Sequence, residues 1–148
     1  MARSLSRSAA RLAAVQALYQ QDMEATPTAR LIHEFHDHRL GATIEGATYA
    51  AAEVSFFDDL VSGTSARQDE IDALISAKLA EGWTLARLDK PMKAIVRVGT
   101  YELIARPDVP LASVIGEYLD VADAFYDKRE KGFVNGLLDA IGKVARPA

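Results

Sequence analysis

Apolar residues recur every three to four positions along nearly the whole chain, and no segment alternates apolar and polar positions cleanly enough to make a strand. The spacing predicts a first helix over about residues 4–23. At about 100° per residue, Leu5, Leu12, Val15, Tyr19 and Met23 fall on one arc. Arg3, Arg7 and Arg11, spaced four apart, fall on another arc well away from it. The expectation is a helix that packs on its leucine face and presents guanidinium groups to solvent. Thr26-Pro27 reads as an N-cap followed by proline in the first turn, opening a second helix through Leu31, Ile32 and Phe35. Residues 41–46 read as a loop. A third helix is expected over about 48–62, with Gly63 as its stop. A fourth, capped by Ser65, carries the stripe Ile71, Leu74, Ile75 and Leu79 and closes at Gly82. Trp83 and Leu85 follow in a short connection. Asp89-Lys90-Pro91 opens a fifth helix with Ile95, Val98, Tyr101 and Leu103, ended by Arg106-Pro107. Pro110 starts a sixth with Val114, Ile115, Tyr118 and Leu119. The charged run 127–132 reads as a surface loop before a last helix over about 133–144. Seven helices joined by short loops make one compact all-α domain.

Length and composition fit that picture. The 148 residues suffice for one domain with a core of its own, and 49% apolar with 26% charged side chains is a globular composition. There is no cysteine, which excludes disulfides, thiolate nucleophiles and zinc ribbons and suits a reducing cytoplasm. No apolar stretch follows the N-terminal arginines as a signal peptide would require. No run of about 18 apolar residues is present to span a membrane. The net charge of −4 argues against an anionic partner until its distribution is considered. Residues 1–21 hold three arginines and no acid; that leaves 14 of the 17 basic side chains with all 21 acidic ones. An acidic body with a basic leading helix confines attraction for an anion to one place, although a charged helix end is also an ordinary feature of soluble proteins.

The dense histidine cluster His33-Glu34-Phe35-His36-Asp37-His38 places His33 and His36 three residues apart, where a zinc-hydrolase helix needs four. Surface histidines near a helix end are the better reading, and no metal is expected. No glycine-rich phosphate cradle follows a strand, and there is no strained Gly-x-Ser-x-Gly turn. The pair Asp58-Asp59 reads as a solvated helix face rather than an acid–base pair. Neither an enzyme active site nor a cofactor is expected. The segment Phe133-Val134-Asn135-Gly136-Leu137-Leu138-Asp139 is more informative: it holds the sole asparagine and directly follows Lys128, Arg129 and Lys131. A phenylalanine at a helix start beside lysines can stack on an unpaired base. It can also be a core staple for the helix.

Several of these segments, in order, resemble one family. Ala14-Val15-Gln16-Ala17-Leu18-Tyr19 looks like the opening of the NusB transcription antitermination family. So do Ile95-Val96-Arg97-Val98-Gly99-Thr100-Tyr101-Glu102-Leu103, then Asp108-Val109-Pro110, then the 133–139 segment. The resemblance covers nearly the whole chain. It implies two packed helical subbundles, and binding of the boxA element of nascent ribosomal RNA together with NusE, a small-subunit ribosomal protein, within the antitermination complex on RNA polymerase. By position it assigns RNA contacts to Arg7, Arg11 and Phe133, with Arg3 and Lys131 close by, and puts Tyr19 near the NusE surface. Two positions depart from the family pattern. Met92 stands where an acid facing NusE is common, and Gly116 where an asparagine is common.

The resulting expectation is an RNA-binding adaptor in the cytoplasm: arginines on phosphates, Phe133 on a base, NusE completing the surface. Two rivals differ in class. NusB-like domains also precede the catalytic domain of some ribosomal RNA cytosine methyltransferases, and a homodimer could pack the basic helix on itself.

Overall fold

In the computed structural model, seven helices follow one another along the described residues. They are α1 (Ala2–Glu24), α2 (Thr28–Phe35), α3 (Val54–Ala66), α4 (Gln68–Lys78), α5 (Lys90–Ala105), α6 (Leu111–Asp123) and α7 (Lys128–Ala145). The structure describes residues 2–36, 43–44, 47–48 and 54–146, with side chains for 7–36 and 54–146. The all-α expectation holds with one addition, which overlaps the segment read as loop and takes in Thr48, where the third helix was expected to start. There β1 (Thr43–Ile44) pairs antiparallel with β2 (Ala47–Thr48), Thr43 opposite Thr48. Two residues per strand are too few to show alternation in a sequence.

Polar ends and prolines set several boundaries. Asp89 caps α5 by accepting the Met92 N–H at 3.1 Å, with Pro91 in the first turn where no N–H is missed. Pro107 follows the C-cap Arg106, and Pro110 sits at the cap of α6, as expected. Four boundaries differ. Pro27 occupies the cap of α2 and its carbonyl accepts the Leu31 N–H, one position later than the sequence suggests. Helix α3 passes straight through Gly63, because a Cβ there would lie 2.1 Å from the Tyr101 ring. This glycine admits a neighbouring helix instead of ending its own. Ser65 caps nothing; its hydroxyl reaches Gln21 at 3.4 Å, and α4 starts at Gln68. Helix α7 begins five residues early, at Lys128, with Asp127 extended at its cap and Glu130 in its first turn. Lysine, arginine and glutamate are good helix formers, and an acid near the N-terminus suits the helix dipole. The charged run is thus the exposed start of a helix, not a loop.

Helices α1, α2 and α3 pack on one another, while α4, α6 and α7 pack around α5; α1 and α3 then lean on α5. Stacked Phe35 and Phe57, 5.6 Å apart, join α2 to α3. Arg146, just past α7, donates to the carbonyls of Leu103 and Arg106 at 2.9 and 2.6 Å and so satisfies orphan acceptors at the end of α5.

The inward face of α1 is the largest correction. Ala10, Ala13, Ala14, Val15, Ala17 and Leu18 are buried, Leu12 and Tyr19 are only partly so, and Met23 is 56% exposed. The packed arc is turned by about 150° from the one centred on Leu12 and Tyr19, at about 100° per residue. Alanines make this face because a small seam lets α1 approach α3 and α5 closely, whereas side-chain size had pointed to the leucines. Arg7 and Arg11 therefore lie on the packed side.

Candidate nucleic-acid interface

Arg11 is buried within that seam, at 4% exposure. Its guanidinium forks onto Glu102 of α5, Nε to Oε1 at 2.8 Å and Nη2 to Oε2 at 2.6 Å, and Nη1 donates to Glu117 of α6 at 2.9 Å. The Tyr118 hydroxyl donates to Glu102 at 2.8 Å, and the Ser8 hydroxyl to Glu117 at 2.6 Å. Burial opposes the charge on Arg11, but the hydrogen bonds and charge of Glu102 outweigh it and raise its pKa above the usual arginine value. Burial beside the charge of Glu102 also pushes the Tyr118 phenol well up. The expectation that Arg11 faces solvent is thus corrected: a bidentate pair with a fully buried carboxylate ties α1 to α5 and α6.

Arg7, one turn earlier, is different. Its side chain is 22% exposed and stacks 4.7 Å above the buried ring of Phe56. Arg11 and Arg106 lie over the same ring at 5.1 and 4.9 Å. Arg106 is held by Asp59 at 3.1 Å and Asp108 at 3.4 Å, while Arg7 reaches Asp108 only at 4.0 Å and its buried Nε has no partner. Arg7 is therefore the guanidinium of this cluster that is both oriented and loosely held. The Arg3 side chain lies outside the described residues.

Phe133 sits elsewhere. On α7 it is half-buried and lines a groove of about 480 Å³ with Trp83, Met92, Tyr126 and the charged Arg87 and Arg129. One side of the ring packs on the core and the other faces the groove. Trp83 is 49% exposed beneath the Arg87 guanidinium, which lies 4.9 Å from its ring. The Tyr126 hydroxyl donates to Asp89, and burial with that contact raises its pKa. Lys131 is on the same helix outside the groove, paired with Asp123 at 3.1 Å. Met92 is 5% exposed on the groove wall, so an apolar thioether stands where the family commonly has an acid. Tyr19 is half-buried on α1.

The two halves of the expected site are not adjacent. Arg7 is grouped with Arg106 beyond the C-terminal end of α5, and Phe133 with Met92 in its first turn. At 1.5 Å per residue those ends are about 20 Å apart. Sequence reasoning missed Trp83, Arg87 and Phe56. The lone tryptophan after Gly82, four residues before an arginine, was the available signal for the first two. Of the histidines, His36 Nε2 lies 2.6 Å from Asp58, and His38 lies outside the described residues. Among the described residues no group of three metal-ligating side chains forms.

The NusB family model matches residues 8–143 of this sequence. The chain belongs to the NusB family. A transcription antitermination protein NusB from Sphingopyxis alaskensis is 70% identical over 144 residues, covering 97% of each chain. The solved T. maritima NusB is 29% identical, with a TM-score of 0.78 over 95% of this chain and 93% of that one. The crystal structure of antitermination factors NusB and NusE with double-stranded RNA holds a chain of the same fold, at 24% identity and a TM-score of 0.75, over 94% of this chain and 97% of that one. A second relative named transcription antitermination protein NusB, from Novosphingobium aromaticivorans, is 62% identical over 141 residues, covering 95% of each chain. No helix among the described residues is long and apolar enough to cross a membrane.

Proposed function

We propose that this NusB-family chain is an RNA-binding transcription antitermination factor of the cytoplasm. It binds boxA-type single-stranded RNA in nascent ribosomal transcripts together with NusE, as part of the antitermination complex on RNA polymerase. The observation that carries this is the groove at the start of α7. Phe133 and Trp83 offer ring faces there, and Arg87 and Arg129 offer charge, the combination that binds unpaired bases without a catalytic group. Phe133 and Trp83 stack on bases, Arg129 and the nearby Lys131 meet phosphates, and Arg7 and Arg3 take phosphates at the far end of α5. Arg11 holds α1 in place rather than touching RNA. Tyr19 faces NusE.

The salt dependence of RNA binding tests the assignment on α1. Each phosphate contact to a single strand contributes about −0.7 to the slope of log K against log salt. Arg7→Ala is expected to flatten the slope by about 0.7 with the fold intact, and an unchanged slope would remove RNA from this helix.

A further inference from the structure

A second cavity, of about 240 Å³, lies where α1, α3, α4 and α5 meet, and neither the RNA groove nor the Phe56 cluster includes it. Three cations, Lys90, Lys93 and Arg97, line it against one carboxylate, Asp22. Lys90 reaches Asp22 at 3.5 Å, and Arg97 forks onto Asp72 at 2.9 and 3.0 Å. Lys93 has no ion pair with any described residue. Positive charge is thus in excess here even after Asp72 is counted, in a chain whose net charge is −4. A second observation is independent of charge. Thr64 on the cavity wall is 1% exposed, and its hydroxyl has no hydrogen-bond partner among the described residues. Gln68 adds an amide at the same wall. An ammonium with no ion pair among the described residues, and side chains bearing a hydroxyl and an amide on the same wall, suit a tetrahedral oxyanion, whose several oxygens need donors from different sides. At about 30 Å³ of liquid per water, the volume equals about eight waters, room for phosphate or pyrophosphate but not for a polymer strand.

We propose that this pocket binds a free phosphoryl anion, inorganic phosphate or pyrophosphate, with Lys93 and Thr64 as its deciding contacts. This does not rest on the RNA reading. Its test is an amide NMR titration of the intact chain with each anion, ionic strength held constant with sodium chloride. Saturable shifts are expected at Thr64, Gln68, Lys93 and Arg97. Affinity should fall at least ten-fold in Lys93→Ala, fall several-fold in Thr64→Val, and stay unchanged in Lys143→Ala, an exposed lysine paired only with Asp139. Melting curves of each variant confirm that the fold is retained, and Lys93→Met substitutes if Lys93→Ala unfolds. Shifts that never saturate, or that persist in both Lys93 variants, overturn the proposal as ion screening. Equally fatal is a Lys93 variant that weakens RNA binding and flattens its salt slope while neither anion binds the wild type, since the pocket then serves the RNA backbone.

Discussion

Arg7 and Arg11 stand one helical turn apart and carry the same group, yet their surroundings give them opposite uses. Arg11 faces Glu102, which is fully buried, so removing the guanidinium leaves a carboxylate with no counter-charge. Arg11→Ala is expected to cost about 3–5 kcal/mol of stability in urea unfolding. Adding Glu102→Leu to Arg11→Met should recover part of that loss, because the fully buried charge is gone while the partly exposed Glu117 and the Tyr118 hydroxyl each still lose a partner. A mild effect of Arg11→Ala alone would show that the pair is not the tie between α1, α5 and α6. Phe133 lies between the two roles offered for it. Because it is only half-buried, Phe133→Ala should cost about 1–2 kcal/mol, below the 3–5 kcal/mol of a fully buried ring. RNA affinity should fall by a further 1–3 kcal/mol or so, the worth of one base–aromatic stack. Melting and RNA binding measured on the same variant separate the two; a loss of stability with unchanged affinity for the folded fraction would make the ring core alone.

At the scale of elements, glycines distinguish helices that touch from helices that face solvent. A Cβ at Gly63 would strike Tyr101, whose hydroxyl donates to Asp59 at 2.6 Å. Gly63→Ala should therefore destabilise by about 1–3 kcal/mol, as overpacked cores do. A Cβ at Gly116 or Gly136 meets nothing within 4 Å, and both are helical. Gly116→Ala and Gly136→Ala should stabilise by about 0.5–1 kcal/mol each, read as higher melting temperatures. The same contrast explains which elements were legible in the sequence. Helices α5 and α6 announce themselves through Asp89, Pro91, Pro107 and Pro110, because caps and prolines act locally. Gly63 misled, since its role is set by Tyr101, 38 positions away and in contact only once the chain has folded. The inward face of α1 was misread for a related reason: alanines gain their value from a close neighbour, and a period analysis weights them little. Arg11 could not be separated from Arg7 without knowing that Glu102 waits opposite. In the groove, Phe133 stood out from its local setting, whereas Trp83 and Met92 join it only through packing.

For the whole molecule, α5 acts as a strut with an arginine cluster beyond one end and an aromatic groove at the other. A bound strand has to follow the surface for about 20 Å to use both, and a partner that covers part of that path would hold the strand in place. NusE placed there would raise affinity, because each end alone offers few contacts and joining them makes the second contact intramolecular. The measurement that tests the account most directly is the affinity of a boxA-type RNA and a scrambled RNA of equal length, with and without NusE, at fixed salt. Weak, poorly selective binding is expected of the chain alone, and with NusE a gain of at least ten-fold for boxA that the scrambled strand does not share. Equal affinity for both strands in the presence of NusE would contradict it.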